Sequence, residues 1–108
     1  MRFRSLLTKA VGAKVADARQ RCKPLKTQSE LASNVGVSRA AISALEAGHQ
    51  GVSLAVLCRI ALTFEISPSS LLPDIDELRE LLAVSKTDTQ EISLNDIVNR
   101  FVEEGDHG

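Results

Sequence analysis

The chain has 108 residues, 44% apolar and 25% charged, with a formal net charge of −1; that is room for one domain of roughly 60–80 residues plus an extension, and too much apolar material for disorder. No apolar run approaches the ~18 residues of a membrane span, and three Phe without Trp or Tyr leave little from which to build a base-stacking platform for single strands. Cys22 and Cys58 have no Cys or His at ligand spacing, so neither a zinc site nor any other metal or cofactor is expected.

The spacing predicts only helices. A first helix runs from about Arg4 to Cys22 with the apolar stripe Leu7, Val11, Val15, Ala18 and Cys22, and stops before Pro24. The segment Met1–Ala16 is basic and acid-free like a transit leader, but the stripe runs on past any cleavage point, so it reads as structure. Thr27 to Glu30 is a capping box that opens a short helix to about Val35, broken by Gly36. Ser38 caps the next, Arg39 to Ala47, closed by Gly48. After the turn Gly48–Gly51, Ser53 caps Leu54 to Phe64, whose apolar residues nearly encircle it as in a central buried helix. Cys58 accordingly reads as a buried thiol. Ser67-Pro68 starts a turn or two of helix ending at Leu72.

Residues 1–72, with a core from about 11 to 72, therefore form one compact unit, and 73–108 form a helical extension. In the extension, Asp74 to Ser85 is predicted helical, with Ile75, Leu78, Leu81 and Leu82 on one side, and Lys86 to Glu91 is predicted as a polar, flexible connector. Ser93 with Asp96 caps a last helix to about Glu104, whose stripe Leu94, Ile97, Val98, Phe101 and Val102 makes one amphipathic face.

The near-zero net charge hides a segregation. Residues 1–40 carry nine cations and two anions, and residues 41–108 carry four cations and twelve anions. A basic half of that density neutralises phosphates, and the acidic half is repelled by them. Two short helices joined through Gly36 have a matching use, since the first braces across a duplex and the second enters the major groove by its N-terminal side chains.

The residues Thr27-Gln28-Ser29-Glu30-Leu31-Ala32, Val35-Gly36-Val37-Ser38-Arg39, Ile42-Ser43, Leu45-Glu46-Ala47-Gly48, Ser53-Leu54, Leu57, Ile60-Ala61, Phe64 to Ser67 and Leu71-Leu72 resemble the Xre-type, lambda-repressor-like helix-turn-helix family from about Val11 to Leu72. The resemblance implies an all-α, five-helix domain, here with one or two additional C-terminal helices. It departs from the pattern in a longer loop, Cys22 to Lys26, before the capping box. Leu31, Ala32, Val35, Val37, Ile42 and Leu45 are expected to pin the two short helices onto Leu57, Ile60, Ala61 and Leu71.

Arg39 stands at the mouth of the recognition helix, where a guanidinium can fork onto guanine O6 and N7. Ala40 and Ala44 share its face and offer methyl contact or clearance, and Ser43 offers a hydroxyl to a base or phosphate. Gln28 is implied by the resemblance to clamp a phosphate, aided by the positive end of its helix. Ser38 is first a cap and then a phosphate donor, and Lys26 contributes positive field. His49 and Gln50 lie in the turn that follows the recognition helix, within reach of the opposite backbone. The resemblance also implies an ion pair between Glu46 and Arg19. So few donors on the recognition helix leave much of the specificity to groove shape and to cooperating subunits.

The implied function is a sequence-specific double-stranded DNA-binding regulator, most simply a repressor that occupies a near-palindromic operator as a homodimer. It would work in the cytoplasm, at the nucleoid when bound, as bacterial and phage-type regulators do. Leu94, Ile97, Val98, Phe101 and Val102 are the expected dimer or partner surface. The rival is an antitoxin whose last helix binds a partner protein, the toxin. With His49 and His107 in turn and tail and no nucleophile–base set, no catalytic residue and no enzyme activity are expected.

Overall fold

In the computed structural model, residues 2–89 are described. They form α1 (Phe3–Arg21), α2 (Gln28–Val35), α3 (Arg39–Glu46), α4 (Leu54–Phe64), a 3₁₀ turn (Pro68–Leu71) and α5 (Ile75–Thr89). The amphipathic stretch Leu94–Val102 lies outside the described residues.

The caps form as the sequence requires. Thr27 Oγ1 accepts from the Glu30 N–H at 3.0 Å and Glu30 Oε1 accepts from the Thr27 N–H at 2.9 Å, so both halves of the capping box are made. Ser38 Oγ accepts from the Ala41 N–H at 3.0 Å and Ser53 Oγ from the Val56 N–H at 3.1 Å. Gly36 ends α2 with φ 76, a left-handed conformation open to glycine at little cost. Glu65 ends α4 in the same region with φ 56, where a side chain is strained. Glu65→Gly is therefore expected to raise stability by about 0.5–1 kcal/mol, read as a Tm increase of a few degrees.

The core is built from Val11 and Val15 of α1, Leu31, Ala32 and Val35 of α2, Ile42 and Leu45 of α3, Leu57, Ile60 and Ala61 of α4, and Leu71. Leu7, Ala18, Val37 and Phe64 pack around it. Both short helices are thus held from beneath, which leaves one flank of α3 outside. α1 crosses the end of α3 so closely that a Cβ on Gly12 would collide with the Leu45 carbonyl oxygen. α5 rests on α1, tied there by Lys14 Nζ to Glu77 Oε1 at 3.3 Å.

Two expectations are corrected. Cys58 is exposed, not buried. α4 buries Leu57, Ile60 and Ala61, so the stripe one residue round, Leu54, Cys58 and Leu62, faces away from the core, with both leucines 76% exposed. An apolar girdle in sequence cannot say which arc is covered. The proposed connector at Lys86 is also absent at its start, because α5 continues through Lys86 to Thr89. No Gly or Pro interrupts Lys86–Thr89, and extending a formed helix costs far less than starting one.

Candidate nucleic-acid interface

The interface begins with a cap and a turn. Gly36 reverses the chain, the Val37 N–H bonds back to the Ala32 carbonyl at 3.0 Å, and Ser38 fixes the first turn of α3. Ile42 and Leu45 point into the core. The opposite flank of the same eight-residue helix therefore presents Arg39 and Ala40, both exposed, beside Ser43 and Ala44, both half-buried. All four base-contact candidates share one outward strip. Among the described residues nothing bonds the Arg39 guanidinium, so its five donors remain available.

Around this strip lie the backbone-contact candidates. Gln28 opens α2 and is half-buried, and its amide Nε2 donates to Glu46 Oε1 at 3.0 Å. One of its two N–H groups is thus committed within the protein and the other is left for a phosphate. Ser38 Oγ accepts the Ala41 N–H and keeps its own proton to donate outward. Lys26 is half-buried, and its carbonyl accepts from Arg19 Nη1 at 3.0 Å. His49 and Gln50 are exposed in the turn after Gly48, where the His49 N–H closes the end of α3 on the Ala44 carbonyl at 2.9 Å.

Behind the strip is a clasp that sets the angle between the helices. Arg19 Nε and Nη2 bond Glu46 Oε2 and Oε1 at 2.8 and 3.0 Å, a two-pronged pair with side chains 13% and 7% exposed. With Gln28 on the same carboxylate, one residue of α3 is gripped from α1 and α2 at once. Burial pushes the Glu46 carboxyl up, but the hydrogen bonds from Arg19 and Gln28 and the Arg19 charge outweigh it and hold it below the ordinary carboxylate range. The same bond to Glu46 raises Arg19 above its usual value.

Sequence reading missed two cations here. Lys9, exposed on α1, lies against Gly48: a Cβ there would sit 2.9 Å from Lys9 Cα and 2.6 Å from its Cγ. The close approach, possible because Gly48 has no side chain, brings a lysine beside His49. Arg59 of α4 reaches the helix-turn-helix bend, its Nη1 being 3.5 Å from where a Cβ of Gly36 would stand. Neither spacing nor capping marks either residue, since both proximities arise from helix packing. The carboxylate residues of α5 (Asp76, Glu77, Glu80 and Asp88) belong to a helix that rests on α1. Among the described residues no cluster of three or more His, Cys, Asp or Glu could hold a metal, and no single helix is long and apolar enough to cross a membrane.

A family model described as Helix-turn-helix matches residues 17–71. No curated protein matches the chain. Among solved structures, the restriction-modification controller protein C.AhdI from Aeromonas hydrophila is 24% identical with a TM-score of 0.58, and the match covers 63% of this chain and 96% of that one. The clp gene regulator ClgR from Corynebacterium glutamicum is 23% identical with a TM-score of 0.58, over 92% of this chain and 93% of that one. Likeness at this level of identity establishes the fold, and the helix-turn-helix lies within the matched 17–71 region.

Proposed function

The chain belongs to the helix-turn-helix family, and from that premise we propose that it is a DNA-binding transcriptional regulator which represses by occupying a near-palindromic operator as a homodimer. The observation that carries the reading is Arg39: exposed, unpartnered among the described residues, and rigidly delivered by the Ser38 cap at the leading end of α3. A guanidinium so placed suits a guanine edge in the major groove. The names of the two structural neighbours, a controller protein and a gene regulator, agree with this class.

Arg39, Ala40, Ser43 and Ala44 read bases in this proposal, and Gln28, Ser38, Lys26, His49 and Gln50 hold phosphates. One unit makes few base contacts, so two copies on half-sites one helical turn apart supply the missing affinity. Selection of bound duplexes from a random pool is expected to return a dyad-symmetric site. Arg39→Ala should cost about 1–3 kcal/mol per half-site and relax preference at one base position in each. Lys26→Gln should instead weaken all sequences alike and lower the salt slope by roughly 0.9 per phosphate lost. A pool that returns no preferred sequence overturns the proposal.

A further inference from the structure

Beside the α3–α4 turn the surface opens into a groove of about 430 Å³ between α1, the start of α4 and Leu72. Its floor is Val11 and Leu57, and Leu7, Leu54 and Leu72 form its walls. Leu54 is 76% and Leu72 42% exposed, so the groove has an apolar lip open to a second apolar surface. Arg4 stands at the rim, and the adjoining first ten residues carry Arg2, Arg4 and Lys9 with no acid among them.

The same chain holds a segment of complementary chemistry. Residues 90–108 carry five carboxylates, Glu91, Asp96, Glu103, Glu104 and Asp106, against one cation, Arg100. Within them Leu94, Ile97, Val98, Phe101 and Val102 recur at helical spacing. An acidic peptide with one apolar stripe fits an apolar groove with a basic rim, as amphipathic helices fit such grooves elsewhere.

We propose that segment 93–104 of one copy seats its apolar stripe in the Leu7–Leu54–Leu72 groove of a second copy, reciprocally, so that each protomer both gives and receives. The inference rests on the homodimer reading above and names the surface that makes it. Reciprocity matters for size: one twelve-residue segment in one groove is a small contact, and the two-fold makes it twice, toward the roughly 1,600 Å² of a stable interface.

The test is oligomeric state without DNA, by light scattering on the full chain, which keeps it independent of operator binding. The wild type is expected to be a dimer. Leu54→Asp and Phe101→Asp should each be monomeric with unchanged far-UV circular dichroism. Leu62→Asp is the control: Leu62 is as exposed as Leu54 but does not line the groove, and this variant should remain a dimer. Tagged Leu54→Asp should capture untagged Phe101→Asp, because the mixed pair retains one intact groove and one intact segment, whereas neither variant captures itself. A monomeric wild type overturns the proposal, as does a Leu54→Asp dimer, which would mean that the segments pair with each other. Dissociation by Leu62→Asp would move the interface to the outer stripe of α4, and failure of the mixed capture would mean that groove and segment do not pair between copies; each refutes reciprocal docking.

Discussion

Glu46→Ala is expected to destabilise the domain by about 2–3 kcal/mol, toward the low end of the loss for a buried ion pair stripped of one member, because this pair is partly buried. The substitution leaves the Arg19 guanidinium 13% exposed with its carboxylate gone, and it removes the acceptor of the Gln28 amide. Glu46→Gln keeps the shape but not the charge, and should lose less. The pH dependence has a definite sign. The folded Glu46 carboxyl titrates below its ordinary value of 4.5, so its contribution is fully present above that value and is lost as pH falls from there through the folded-state pKa. A Tm profile from pH 3 to 7 should slope downward on the acid side for the wild type and flatten in that window for Glu46→Gln. Equal slopes in the two proteins would count against the clasp. Because Glu46 sits on α3 and Arg19 on α1, the same variants should weaken operator binding beyond their effect on stability, through a misplaced recognition helix.

Gly12→Ala is the second large effect, and it runs against helix propensity. Alanine in mid-helix normally gains about 1 kcal/mol over glycine, yet at Gly12 the added Cβ would overlap the Leu45 carbonyl oxygen and stand 3.1 Å from that of Glu46. Both obstacles are backbone, so α1 must lift from α3 rather than a side chain swing aside. A net cost of about 3 kcal/mol is expected, seen as a Tm drop on the order of 15 °C. Gly12→Ser should behave alike. An unchanged Tm in either would mean that α1 does not cross α3 at this contact distance.

Much of this was readable from residue order. The helix starts were legible because Thr27, Ser38 and Ser53 act on backbone N–H groups three residues away, an interaction contained in a single turn. Gly36 was legible for the same local reason, and the core residues were legible because periodicity reports which positions share a face. The outward strip of Arg39, Ala40, Ser43 and Ala44 follows from that periodicity, as it is the complement of Ile42 and Leu45. The Arg19–Glu46 pair came from family resemblance, since nothing in the spacing of two residues 27 positions apart joins them.

Chain order could state that α4 is apolar nearly all round, yet not which arc its neighbours would cover, and the thiol of Cys58 went to the wrong side for that reason. It could count Lys9 and Arg59 as charges, but their places beside Gly48 and Gly36 come from how α1 and α4 cross the rest. Nothing local marks Gly12, whose need for a bare Cα comes from the α3 carbonyls that α1 crosses. Local hydrogen bonding and periodicity are properties of a few consecutive residues and are written in their order. Which faces meet, and how closely, depends on the joint packing of all the helices, and is settled once they share one core.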